Sequence, residues 1–178
     1  MSSPATDTGL NLPAELPPSG VLLGIDYGTK RVGVAVSDRD QKFSSPLHNL
    51  DRQGIQADTR YFRRLTDEYR PVGMVIGLPI HLSGDESQKS LEARSYADWL
   101  ASVTGLPFTF QDERFTSFQA ERLLLDAELS KKKRKARIDK LAAQILLQTY
   151  LEVRTAAREK LIALTIATNS DTNESCAL

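Results

Sequence analysis

The chain has 178 residues, enough for one domain with a substantial core, and its 40% hydrophobic and 26% charged residues are ordinary globular usage. No apolar run reaches the ~18 residues of a membrane span, Met1 to Gly20 lacks the basic start and apolar stretch of a secretory signal, and the single cysteine, Cys176, rules out an internal disulfide or a thiolate cluster. These features favour a reducing, cytoplasmic setting, and a formal net charge of zero means that any affinity for nucleic acid must come from local clustering of positive charge.

Residues 1–20, with Pro4, Pro13, Pro17 and Pro18, predict a disordered leader before a domain over 21–152. Val21 to Tyr27 is a β-type apolar run ending on Asp26. Gly28-Thr29-Lys30 is a turn. In Arg31 to Ser37, Val32, Val34 and Val36 alternate with Arg31, Gly33, Ala35 and Ser37, which predicts a second strand closing an antiparallel hairpin. Ser45 to Leu50 is a candidate third strand. Ile55 to Tyr69 reads as a polar helix bounded by Pro71, and the continuous apolar run Val72 to Gly77 as a strand buried on both faces. A polar loop follows through Asp85. Tyr96, Trp99, Leu100 and Val103 then mark one apolar face of a helix, stopped by Gly105-Leu106-Pro107. Phe108 to Gln111 is a short strand. Thr116 and Gln119 have capping-box spacing and open a further helix. After the basic run Lys131 to Arg137, read as a loop, Ile138, Leu141, Ala142 and Ile145 start a last helix reaching at least Leu151. A helical extension and a disordered polar tail complete residues 153–178. An antiparallel meander followed by β/α alternation implies an α/β fold, a mixed central sheet with helices on both faces.

Three acids stand at element ends: Asp26 after the first strand, Glu113 after the strand Phe108 to Gln111, and Asp139 in the first turn of the last helix. Reactive groups of open α/β sheets gather outside the carboxyl ends of strands. Carboxylates converging there repel one another unless a hard divalent cation such as Mg²⁺ intervenes, and paired ions about 3.5–4 Å apart stabilise an in-line phosphodiester displacement. Taken singly, each acid also has an ordinary reading. Asp26 suits a turn, Asp139 a helix N-terminus, and Glu113 an exposed loop.

Longer motifs decide between these. Gly24-Ile25-Asp26-Tyr27-Gly28-Thr29-Lys30-Arg31-Val32-Gly33-Val34-Ala35-Val36-Ser37-Asp38 resembles the opening signature of the YqgF family of RuvX-like pre-16S rRNA nucleases. Val75 to Pro79 is similar to the family's central strand and loop, Asp112-Glu113-Arg114-Phe115-Thr116 to its Asp-Glu-Arg box, and Ile138 to Leu151 to its closing helix. The match covers roughly Gly24 to Glu152. Ile80 to Gly84 departs from the pattern, which has an Asn and an acidic residue before the Gly, and Phe115 replaces a common Leu. The resemblance implies an RNase H-like fold, an acidic site at Asp26, Glu113 and Asp139, and a role in trimming the 5′ end of small-subunit rRNA, with Holliday-junction resolution as the alternative.

On that reading Asp26 bridges two Mg²⁺ or Mn²⁺ ions, with Glu113 and Asp139 each completing one coordination shell. Gly28 lets the backbone turn tightly and leaves room for a phosphate, or simply meets the positive φ that a turn demands. Lys30 and Arg31 are candidates to neutralise backbone phosphate, and Arg114 to clamp it bidentately. Lys131, Lys132, Lys133, Arg134, Lys135 and Arg137 form the main binding signal, just before Asp139. No aromatic stacking platform is visible, so recognition by backbone and shape is expected. His48 and His81 lie far apart in sequence. The expected partner is structured RNA such as pre-rRNA, or junction DNA, with no membrane. The oligomeric state is left open between monomer and homodimer, since a resolvase needs two subunits. Two other functions compete. An actin-type ATPase needs a second domain and a second Asp-x-Gly, both missing; a non-catalytic ribosome-assembly factor needs only the basic run.

Overall fold

The computed structural model describes residues 15–47, 49–79, 87–112 and 131–174, with side chains in the last segment from 141 to 166. The expected helix at Thr116, the loop Ile80 to Asp85, Glu113, Arg114, His48 and His81 lie outside the described residues.

The hairpin forms as its alternation dictates. Strand β1 (Leu22–Asp26) pairs antiparallel with β2 (Arg31–Ser37), Asp26 facing Gly33 in register. In place of one third strand there are two short ones, β3 (Ser44–Pro46) and β4 (Leu50–Asp51), both on β2. Leu47 N still donates to the Val34 carbonyl at 2.8 Å, after which the ladder is interrupted until Leu50 pairs with Val32. Strands β5 (Gly73–Leu78) and β6 (Phe108–Asp112) add parallel to β1, giving the order β3-β2-β1-β5-β6. Three antiparallel strands followed by parallel ones make the mixed sheet of an RNase H-like fold.

Helices cover both faces. Helix α1 (Ile55–Tyr69) ends on Arg70 in the left-handed region (φ 46°), just before Pro71. Helix α2 (Gln88–Thr104) opens on a capping box that the sequence reading missed: Ser87 Oγ accepts from Ser90 N at 3.1 Å, and Ser90 Oγ donates to the Pro79 carbonyl, tying the helix start to the end of β5. Phe62 and Leu65 of α1 and Tyr96, Ala97 and Leu100 of α2 pack on Leu23, Ile25, Val32, Val34, Met74 and Ile76. On the opposite face Ala143, Leu147 and Leu151 of helix α3 (Lys131–Glu174) pack on Leu22, Ala35 and Val75.

Three expectations change. The basic run is not a loop but the start of α3, which places Asp139 well inside the helix instead of in its first turn. Lysine and arginine are good helix formers, so nothing in the run stops the helix from extending backwards. The tail from Thr168 continues as helix to Glu174, since no Pro or Gly intervenes. Finally, residues 15–20 of the expected leader are held down. Leu16 is buried beside Leu151, its carbonyl accepts from Arg154, and Gln41 Nε2 donates to the carbonyls of Pro17 and Gly20 at 3.0 Å each. A second seam fixes α3 to the sheet edge. Ser44 N donates to Gln148 Oε1 at 2.9 Å, and Gln144 Nε2 donates to the Ser44 carbonyl at 2.9 Å, satisfying backbone groups that an edge strand would expose.

Candidate active site

Alternation along β1 sends consecutive side chains to opposite faces. Leu23 and Ile25 enter the α1/α2 core and Leu22 the α3 core. Asp26 therefore takes the α3 face and Tyr27 the other, where Tyr27 packs on the α1/α2 core. Two glycines let α3 lie close to this part of the sheet. A Cβ at Gly24 would sit 2.7 Å from Leu147 Cβ and 2.9 Å from the Ala143 carbonyl oxygen. At Gly33, a Cβ would stand 3.2 Å from Ala143 Cβ and 3.5 Å from Asp26 Oδ2. Following Leu22, Gly24 and Gly33 toward the carboxyl end of β1, the partners on α3 run Leu151, Leu147, Ala143. The helix thus runs antiparallel to β1, and its amino-terminal part heads toward the edge where Asp26 stands.

That edge is also where β5 and β6 end, since both run parallel to β1. On β6, Phe108 and Phe110 pack into the α1/α2 core, so Thr109 and Gln111 belong to the face of Asp26. Asp139 lies one helical turn before Ala143, but its side chain, like that of every residue of the basic run, is outside the described set. Among the described residues no three His, Cys, Asp or Glu side chains form a metal-binding group.

Gly28 lets the backbone turn tightly, as expected, and not through the left-handed φ that is the ordinary reason for a turn glycine. Its φ is not positive; instead a Cβ would meet the Arg31 carbonyl oxygen at 2.5 Å, so the turn closes too tightly for any side chain. Lys30 is exposed. Arg31, on the Asp26 face by parity with Gly33 and Ala35, bonds Asp51 at 2.7 Å with both side chains about 70% exposed, a pair that water screens into a weak, exchangeable contact.

The sequence reading missed the cluster on the other side of the same edge. Arg52 donates from Nε to Asp58 Oδ2 at 3.2 Å and from Nη1 to Tyr27 Oη at 3.4 Å. Its guanidinium lies 5.6 Å from the Tyr27 ring centre and 5.1 Å from that of Tyr96. Burial opposes the Arg52 charge, but the Asp58 bond and the neighbouring tyrosines more than offset it and hold the guanidinium above its usual value. Asp58 is fully buried, and among the described residues its Oδ1 and the Tyr96 hydroxyl have no hydrogen-bond partner. Burial, seconded by Asp58, drives the Tyr96 phenol well above its ordinary value. The signal was present: Asp58, Phe62 and Leu65 share one helix face, and an acid in an apolar stripe calls for a buried cation.

A family model described as "RuvX: Holliday junction resolvase" matches residues 20–153. Proteins named "Putative pre-16S rRNA nuclease" are similar over most of their length. That of Rhodopirellula baltica is 43% identical over 136 residues, 76% of this chain and 79% of its own. That of Cereibacter sphaeroides is 42% identical over 139 residues, 78% and 87%, and that of Lactococcus lactis 41% over 133, 74% and 93%. Among solved structures, "T. thermophilus RuvC in complex with Holliday junction substrate" overlays with a TM-score of 0.47 at 16% identity, covering 77% of this chain and 96% of its own. With the family model spanning the whole sheet and three relatives above 40% identity, the chain belongs to the RuvX family of nucleases.

Proposed function

We propose that this chain is a cytoplasmic, divalent-metal-dependent nuclease that trims structured pre-rRNA at a site formed by Asp26, Glu113 and Asp139. The observation that carries the reading is the antiparallel course of α3 along β1. The stripe Leu151, Leu147, Ala143 approaches the edge at Asp26 turn by turn, and Asp139 is the next member of that series at i−4. Glu113 follows directly in sequence on β6, whose carboxyl end lies at the same sheet edge as that of β1. The donors are hard oxygens suited to Mg²⁺ or Mn²⁺, and with glycine at position 33 no side chain crowds Asp26 Oδ2, from which a Cβ there would stand 3.5 Å. Such ions, when bound, supply charge stabilisation for the oxygens of an in-line displacement.

The chain's own residues do the rest. The three carboxylates hold the ions, Lys30, Arg31 and Arg114 hold backbone phosphate, and the basic run draws in the nucleic acid. The curated relatives' names favour pre-16S rRNA as substrate, and the family description favours junction DNA as the second reading.

The test is cleavage of a pre-rRNA fragment and a four-way DNA junction, side by side, with Mg²⁺ or Mn²⁺ and with Asp26→Asn as control. The expected result is RNA cleavage that Asp26→Asn abolishes while RNA binding persists, together with a metal-dependent rise in melting temperature that the variant loses. Preferential cutting of the junction shifts the assignment to a resolvase working as a homodimer. Binding of RNA with no cleavage of either substrate leaves a non-catalytic assembly factor.

A further inference from the structure

Tyr27, Arg52, Tyr96 and Trp99, with Ile55 and Leu91 at the rim, line a cleft of about 370 Å³, a volume typical of small-ligand sites. Tyr27 and Tyr96 have ring centres 4.8 Å apart, and Tyr96 and Trp99 5.1 Å, forming one continuous aromatic strip. Arg52 lies over the first two rings. Ile55 is 64% and Leu91 48% exposed. Large aliphatic side chains left in water beside an aromatic floor mark a surface made to be covered.

The chemistry of the lining selects the occupant. A cation is disfavoured because Arg52 already holds the ring faces. A phosphate is disfavoured because Glu92 faces the same cleft. A flat, uncharged, heteroaromatic group fits: it stacks on the Arg52 guanidinium plane and the Trp99 ring, both of which line the cleft, and packs under Ile55 and Leu91. The floor residues Arg52 and Tyr96 belong to a polar cluster with Asp58, in which the Tyr96 hydroxyl and Asp58 Oδ1 have no hydrogen-bond partner among the described residues, and are not plain core packing.

We infer that this cleft receives an unpaired nucleobase of the substrate strand, next to the nucleotide whose phosphate meets Asp26. The inference rests on the nuclease reading above and supplies it with a preference for single-stranded or splayed nucleotides. Asp26 and Tyr27 are consecutive residues about 3.8 Å apart at Cα, turned to opposite faces of one sheet edge. A strand crossing that edge places a phosphate on one side and the adjoining base on the other. Aromatic stacking reads no particular base, so the subsite selects unstacked structure over sequence.

Trp99 is the only tryptophan, so its fluorescence reports occupancy directly. The experiment uses the full chain carrying Asp26→Asn, in EDTA, with a labelled single-stranded RNA oligonucleotide, an abasic strand of equal length, and a free nucleoside monophosphate. Binding is followed by anisotropy of the label and, separately, by Trp99 quenching. The intact strand is expected to quench Trp99 and the abasic strand to bind about tenfold more weakly without quenching. Leu91→Ser, at an exposed position, is expected to weaken the intact strand and leave the abasic one unchanged. Binding with equal quenching by both strands, or with none, overturns the base subsite while leaving the nuclease reading intact. Quenching by the monophosphate at the affinity of the strand reassigns the cleft to a free nucleotide and overturns the inference too. Failure of any strand to bind brings down both.

Discussion

Replacing Gly24 by alanine tests whether the seat of α3 sets the chemistry. A Cβ there meets Leu147 Cβ at 2.7 Å and the Ala143 carbonyl oxygen at 2.9 Å, where ordinary contact begins at 3.4 Å. Neither atom is the tip of a flexible side chain, so the helix must rise by about 0.7 Å. Overpacking of this kind costs roughly 1–3 kcal/mol, against which relief from a strand glycine returns about 0.5–1 kcal/mol. The net loss of about 1–2 kcal/mol corresponds to a melting temperature lower by roughly 2–8 °C for a chain of this size. Catalysis should suffer more. Ala143 is one turn from Asp139, and misplacing a catalytic group by about 1 Å costs on the order of 100-fold, so single-turnover cleavage should slow by about 10- to 100-fold. The control is Gly105→Ala. Gly105 ends α2 with φ +70° and has nothing within 4 Å of a built Cβ, so alanine there stores backbone strain of about 1–2 kcal/mol without touching α3. Thermal denaturation by circular dichroism and cleavage with Mn²⁺ are measured on both. If Gly24→Ala cleaves as fast as Gly105→Ala at matched stability, the position of α3 does not govern the site and the convergence of Asp139 on Asp26 is refuted.

Replacing Lys131, Lys132, Lys133 and Arg134 by glutamine keeps helix propensity but removes like charges that repel one another at i, i+3 and i+4 spacing along the helix. The melting temperature should rise by a few degrees while the slope of log affinity against log salt, measured by anisotropy, becomes shallower by about 3. Arg154→Ala frees the carbonyl of Leu16 and Gln41 Oε1; limited proteolysis should cut before Val21 several times faster, with stability lower by about 1–3 kcal/mol. Above pH ~10 stability should fall, because an unfolded chain releases phenolic protons that the folded one retains on Tyr96 and, more weakly, on Tyr61 and Tyr150. Since all three folded values are raised, this contribution is fully present below that pH and lost above it. Tyrosinate absorbance attributable to Tyr96 should appear only together with loss of the far-ultraviolet dichroism.

The parts of the fold legible in the sequence are those that a local period encodes. Val32, Val34 and Val36 announce β2 because the pleat repeats every two residues, and Ile55 to Tyr69 declares α1 because Pro71 forbids its continuation. What the sequence hid is made by distance. Arg52, Asp58 and Tyr96 are separated by as many as 44 positions, and Tyr96 and Trp99 read as ordinary core residues on one helix face until Tyr27 and Arg52 arrive beside them. The basic run failed for the opposite reason. A run of charges usually stands in a solvated loop, yet lysine and arginine propensity, with no breaker between Lys131 and Ile138, favours helix. The same alternation that revealed the hairpin explains why one sheet edge serves two purposes. Because consecutive residues of β1 must part, Asp26 is given to the α3 face and Tyr27 to the α1/α2 face. A carboxylate and an aromatic ring thus stand one residue apart with the sheet between them, and a strand of nucleic acid, whose phosphates and bases also point in different directions, can be met on both sides at once.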